Sequence, residues 1–139
     1  MVPRRLLVAV SAGQLAAGLA GLAVALRRRR PYDIPLLRGT AARVARDSLW
    51  IGTAYSAPTP MLLAQAAATV QLARRQADGS RRLLGRLGAL MAPGYLLERS
   101  VRAHLSPSGA DPVETPVVAA GLGLAVAMAV LGHRSASAG

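Results

Sequence analysis

The chain has no cysteine, phenylalanine, lysine or asparagine, and only six of its 139 residues are acidic. Without cysteine, a disulfide framework and a thiolate metal site are both excluded. Without phenylalanine, and with only Trp50, Tyr32, Tyr55 and Tyr95 as aromatics, the chain lacks the bulky side chains that fill the interior of a small water-soluble domain. Yet 53% of the residues are hydrophobic, and the mean hydropathy is +0.36. Small apolar residues in such excess pack helix on helix where lipid supplies the apolar surroundings. The expected class is therefore an all-α integral membrane protein.

The net charge of +11 rests entirely on arginine. Lysine, asparagine and phenylalanine are all encoded by AT-rich codons. Their joint absence points to GC-rich coding, with arginine as codon usage and a bacterial plasma membrane as the expected location. The arginines cluster at the ends of apolar runs, where snorkelling side chains and loop charges belong. They lack interleaved aromatics, so a nucleic-acid footprint is not expected.

Four apolar runs organise the chain as one transmembrane domain, with spans near 6–26, 49–73, 83–103 and 116–133 and a polar tail over 134–139. Leu6 to Leu26 is free of charge and covers roughly 31 Å as a helix, about one hydrocarbon thickness. It is longer than a signal-peptide core and ends in Arg27–Arg30 without a small-residue cleavage site, so it reads as an uncleaved span. From Pro31 to Ser48, apolar Ile34, Leu37, Ala41, Val44 and Ala45 oppose Arg38, Arg43, Arg46 and Asp47 on a helical wheel. That pattern predicts a short amphipathic helix in the headgroup plane, marked by Trp50.

The run from Leu49 to Ala73 holds Pro58-Thr59-Pro60, which predicts a kink or break near Thr59. Leu83 to Leu97 is short and interrupted by Pro93-Gly94; it is expected to span by continuing through Glu98 to His104, with a re-entrant hairpin as the alternative. In the continuous reading, Glu98 and Arg102 stand at i, i+4 where the helix meets water. Thr115 before Pro116 reads as a cap and first turn. In the four-span arrangement nine arginines fall on one side and eight on the other, so the positive-inside rule chooses no orientation. With re-entrant central segments the division becomes fourteen against three.

Three sets of residues are candidates for function. Ala9, Gly13, Ala17, Gly21 and Ala25 place a small residue at every fourth position of the first helix, and Ala119, Gly123 and Ala127 repeat this in the last. Such stripes let backbones approach and drive helix association. Tyr55, Ser56, Thr59, Gln65 and Thr69 surround the proline break and form a candidate intramembrane polar cavity, since broken helices expose carbonyls and hydroxyls as ligands. Arg27, Arg28, Arg29, Arg30, Arg38 and Arg43 are candidate contacts for anionic lipid headgroups.

Glu98, His104, Asp111 and Glu114 fall near one loop, but their spacing fits no metal signature, and Asp111 and Glu114 precede a helix whose dipole they complement. No phosphate-binding loop, dinucleotide fingerprint or nucleophile elbow occurs, and no catalytic set or cofactor site is expected. The leading expectation is a non-catalytic packing or accessory component of a membrane, associating with copies of itself or a larger partner. A small transporter or ligand binder built on the Pro58–Thr69 segment is the alternative, and a lipid-acting enzyme using Glu98, His104 or Asp33 the third.

Overall fold

The structure is a computed structural model that describes residues 3–75 and 77–136, with side chains to Arg134. The last three residues of the polar tail lie outside the described residues. Among the described residues the fold is all-α apart from one small hairpin. Its elements are α1 (Arg4–Arg28), β1 (Asp33–Ile34), β2 (Leu37–Arg38), α2 (Val44–Trp50), α3 (Thr59–Arg74), α4 (Asp78–Leu97), α5 (Arg99–His104) and α6 (Glu114–Ala136).

The four long helices form an up-and-down ring in which α1 and α4 each pack on both α3 and α6. One end of the ring carries the short α3–α4 turn. The other carries the long connections 29–58 and 98–113, which fold into a cap.

Burial along α1 falls on Leu7, Ser11, Gln14, Gly18, Gly21 and Ala25. Along α6 it falls on Glu114, Val118, Gly121, Ala125, Met128 and Gly132. Both sets alternate steps of four and three. That mean of 3.5 residues keeps a seam facing its neighbour when helices cross at the shallow left-handed angle of bundles. The most extensive seam joins α4 to α6. There Gly88 lies against backbone: a Cβ at that position meets Ala125 O and Ala129 N at 2.6 Å. Leu19, Leu63, Val70, Leu90, Val126 and Val130 point away from the ring and are exposed.

Two helices, α1 and α6, are long and apolar enough to cross a membrane. Only 33% and 28% of their apolar windows are buried within the protein.

Several local elements differ from the sequence reading. Residues 31–40 are not helical: β1 and β2 pair antiparallel with Asp33 opposite Arg38 and Ile34 opposite Leu37. Pro35 takes the first central position of the turn, where its fixed φ is favourable and its missing amide costs nothing. The amphipathic helix shrinks to a 3-10 turn at Ala41–Arg43 followed by α2.

The second apolar run breaks completely between Trp50 and Thr59. Gly52 adopts φ +100, a left-handed conformation that side-chain-bearing residues disfavour. A tight turn follows, closed by Thr53 N–H on Ser56 O at 3.0 Å. Pro58 then caps α3, with Pro60 in its first turn. The prolines therefore start a helix at the cap instead of kinking one at mid-bundle.

The third run begins five residues earlier than read, at Asp78, and stops at Leu97. Glu98 turns extended at ψ 120 and separates α4 from α5. It does so because its carboxylate is drawn to the hairpin, accepting the Asp33 N–H at 2.7 Å, and not to Arg102 in water. The last helix starts at Glu114, capped by Asp111 Oδ1, which accepts the amides of Val113 and Glu114 at 2.8 Å each.

Candidate functional site

The cap end of the bundle gathers five of the six acidic residues, Asp78 alone lying at the opposite end. Two of them, Glu114 and Glu98, are buried, and their surroundings are opposite in kind.

Glu114 is fully buried at the first turn of α6. Its Oε1 accepts Arg28 Nη1 at 2.9 Å and Arg30 Nε at 3.4 Å. Its Oε2 accepts the Tyr55 hydroxyl at 2.6 Å and contacts His104 Nε2. Four chain segments thus meet on one carboxylate.

Each is delivered by a local feature. Arg29 closes α1 in the left-handed region (φ 50, ψ 48), at a cost of about 1 kcal/mol, and the Arg30 amide bonds back to Ala25 O at 2.8 Å. That reversal turns Arg28 and Arg30 toward the same acid. Tyr55 sits at the tip of the turn after Gly52 and is fully buried. Its phenol is pushed above its ordinary value of 10, first by burial and then by its bond to Glu114.

His104 Nδ1 faces the Ser100 carbonyl at 2.7 Å. A carbonyl only accepts, so Nδ1 donates here and Nε2 is the ring atom that faces the carboxylate. The Tyr55 and His104 rings meet edge to face at 5.8 Å. Asp111 also binds Arg28, Nη1 to Oδ2 at 3.1 Å. Its carboxyl is held down to about 2 chiefly by the amides of Glu114 and Val113, with Arg28 adding to them. Arg28 and Arg30 meet one oxygen of Glu114, and Tyr55 and His104 the other, so the carboxylate is engaged on both oxygens within the fold. The group is a clasp that ties α1, the 51–58 turn, α5 and α6 together.

A second polar group lies inside the ring. Gln65 Nε2 donates to Ser11 O at 3.0 Å and to Gln14 Oε1 at 2.8 Å. The Ser11 and Thr69 hydroxyls bond at 2.7 Å, and Thr69 Oγ1 donates to Gln65 O at 2.7 Å. Gln65 Oε1 is buried with no hydrogen-bond partner among the described residues. The remaining bonds knit α1 to α3 as interhelical polar contacts do in bundles.

Glu98 occupies the third environment. It lines a partly open cavity of about 330 Å³ between the start of α3 and the end of α4, bordered by the hairpin and the 51–58 turn. The walls include Ile51, Met61, Leu90, Met91 and Tyr95, and are almost wholly apolar. Glu98 is 4% exposed. Its carboxyl group is pushed up to about 7, first by burial; the amides of Asp33 and Ser100 and the charge of Arg102 oppose that rise, and the charge of Asp33 adds to it.

The residues singled out from sequence are distributed over these features. Of the polar set, Tyr55 enters the clasp, Ser56 lines the apolar cavity, Thr59 donates to Ser48 O at 3.0 Å, and Gln65 and Thr69 belong to the interior group. They do not share one cavity.

Of the small-residue stripes, Gly21 and Ala25 are buried, Gly13, Ala17 and Ala127 are partly buried, and Ala9, Ala119 and Gly123 are exposed. Of the arginines, Arg28 and Arg30 are engaged by Glu114, Arg38 lies 3.9 Å from Asp33, and Arg27, Arg29 and Arg43 are exposed at the cap.

Asp111 and Glu114 do serve the helix start anticipated for them. The convergence of Arg28, Tyr55 and His104 on Glu114 spans up to 86 positions in sequence and leaves no local signature. Among the described residues no three His, Asp or Glu side chains gather to hold a metal. No protein-family model, curated protein or solved structure matches this chain.

Proposed function

We propose that the chain is a small non-catalytic membrane protein, a four-span bundle of α1, α3, α4 and α6 that acts as a packing or accessory component of a bacterial plasma membrane. The supporting observation is the surface that the bundle leaves uncovered: most of the apolar length of α1 and α6 faces outward, and a water-soluble core helix would be buried. Arginines flank that surface at both ends, with Arg27, Arg29 and Arg43 at the cap and Arg4, Arg5, Arg74 and Arg75 around the opposite end. Anionic headgroups are the lipid partners this charge favours. The engagement of both Glu114 oxygens within the fold supports a structural over a catalytic role for the most elaborate polar group in the molecule.

The outward faces of the helices are the surfaces for self-association or a larger partner. Ala119 and Gly123 lie on that side of α6, and a Cβ at Gly123 meets nothing within 4 Å. Gly123→Leu is therefore expected to weaken assembly in membranes while leaving the monomer folded. Assembly unchanged by this variant would remove the packing role.

The span arrangement is tested by single cysteines at Thr40, Gly79 and Ser108, introduced into a chain without native cysteine. Thr40 and Ser108 should label from one side of the membrane and Gly79 from the other. Labelling of all three from one side would refute the four-span bundle.

A further inference from the structure

The clasp holds Glu114, and the interior polar group joins Ser11, Gln14, Gln65 and Thr69. Glu98 belongs to neither. It is a buried carboxyl group at the edge of an apolar chamber, and the hydrogen bonds it accepts from within the fold come from backbone amides, Asp33 on Oε1 and Ser100. We propose that the α3–α4 cavity binds a lipophilic amine, with the apolar body against Met61, Leu90, Met91 and Tyr95 and the ammonium group on the Glu98 carboxylate.

Volume, access and charge argue for this occupant. A chamber of about 330 Å³ lies within the range of small-molecule sites, which are mostly apolar with a few placed polar groups. Ile51, Leu90 and Leu97 line it and are themselves exposed, so an apolar molecule reaches it from the apolar flank of the bundle.

The charged and titratable groups around Glu98 select the sign of the ligand. On the hairpin, Asp33 engages Arg38 at 3.9 Å and Arg99 of α5 at 4.0 Å. Both of these guanidinium groups pair with Asp33, and neither forms an ion pair with Glu98. Arg102 acts on Glu98 only weakly, and Tyr32 and Tyr95 are the other titratable wall residues. Among the described residues Glu98 forms no ion pair, and Arg102 acts on it only from a distance. An ammonium group supplies the missing partner, and a charge-assisted hydrogen bond in an apolar surround is strong. An anionic or neutral head gains nothing comparable from an ionised carboxylate.

Proton and amine compete for the same group. Because Glu98 is held near neutrality by burial, amine binding is full above pH ~7 and falls as the carboxyl group protonates below it.

The test uses the full chain in lipid nanodiscs, with empty nanodiscs subtracted, and two matched probes: phenylbutylamine and phenylbutanol. Isothermal titration at about pH 8 should give the amine an affinity at least about tenfold above that of the alcohol. Glu98→Gln keeps the side-chain oxygen that accepts the Asp33 amide, and should erase the difference between the two probes. Gly94→Leu places a side chain on the cavity wall, where a Cβ meets nothing within 4 Å, and should block both probes.

Equal affinities for amine and alcohol in the unaltered protein would overturn the proposal, and so would binding of neither probe. Amine binding that survives Glu98→Gln or Gly94→Leu would overturn it as well, by placing the amine elsewhere.

Discussion

The α4–α6 seam allows a sharp test, because a single methyl group added at Gly88 has nowhere to go. Its position lies 2.6 Å from both Ala125 O and Ala129 N and 3.1 Å from Ala129 Cα. All three are backbone atoms, so no side-chain rotation relieves the contact. The helices must separate by roughly 1 Å to restore ordinary van der Waals distances of about 3.5 Å.

Overpacking of this kind costs about 1–3 kcal/mol, and the better helix propensity of alanine returns at most about 1 kcal/mol. Gly123→Ala is the matched control on α6: the same glycine-to-alanine exchange, with nothing within 4 Å of the new Cβ. Its expected effect is neutral to slightly stabilising. The assay is reversible unfolding in mixed micelles of increasing denaturing-detergent fraction, followed by helical circular dichroism. Gly88→Ala should unfold at a lower detergent fraction than both the parent and Gly123→Ala. If the two variants unfold together, backbone contact does not govern this seam and the packing argument fails.

The other expectations concern the two buried acids. Tyr55→Phe removes one of four donors from Glu114 and should destabilise by about 1–3 kcal/mol in the same assay, the cost of an unsatisfied buried acceptor. Glu114→Gln should cost as much or more, because it removes the charge that Arg28 and Arg30 face and puts an amide donor in place of one accepting oxygen; an unchanged midpoint in both variants would refute the clasp. The pH profile should be bounded on both sides. Asp111, depressed to about 2, stabilises the fold above its unfolded value near 3.8 and loses this as pH falls toward 2. Glu98, raised to about 7, has the reverse sign: its contribution is full below its unfolded value near 4.5 and is lost as pH rises to 7. Glu98→Gln should flatten the upper limb, and a variant that keeps the same decline between pH ~4.5 and 7 would show that another group causes it.

What could be read from sequence depended on the length of the signal. α1 and α6 follow from long uncharged runs, because twenty apolar residues in a row have few alternatives to a helix. The hairpin at Asp33–Arg38 was masked by a coincidence: Ile34, Leu37, Ala41 and Val44 fit a helical wheel, but Pro35 and Gly39 favour a turn, and the periodic reading gave those two too little weight.

The stripe from Ala9 to Ala25 illustrates a geometrical limit. Steps of four residues advance about 40° around the helix each time, or about 160° over four steps. One neighbour cannot cover them all, which is why Gly21 and Ala25 are buried and Ala9 is exposed. The seam instead follows Leu7, Ser11, Gln14, Gly18, Gly21 and Ala25, a set that mixes large, polar and small residues and so escapes a search for small ones. The clasp was illegible for a different reason. Its members are contributed by segments that no spacing rule connects, and only the fold brings them to one carboxylate.

Glu98 and Glu114 show how position within one fold assigns opposite tasks to the same side chain. Glu114 begins a long helix, at the positive end of its dipole, and faces two guanidinium groups, an imidazole and a phenol. Both of its oxygens are engaged within the fold, so its stabilisation is spent on joining segments. Glu98 lies between two helices and lines a cavity with Ile51, Met91 and Tyr95, with only backbone amides as hydrogen-bond donors and with Arg38 and Arg99 drawn to Asp33. Its charge is poorly compensated, and a buried charge without a partner is unfavourable until one arrives. The side-chain partners that occupy Glu114 are missing at Glu98, which is why the proposed amine and the expected pH response both centre on it.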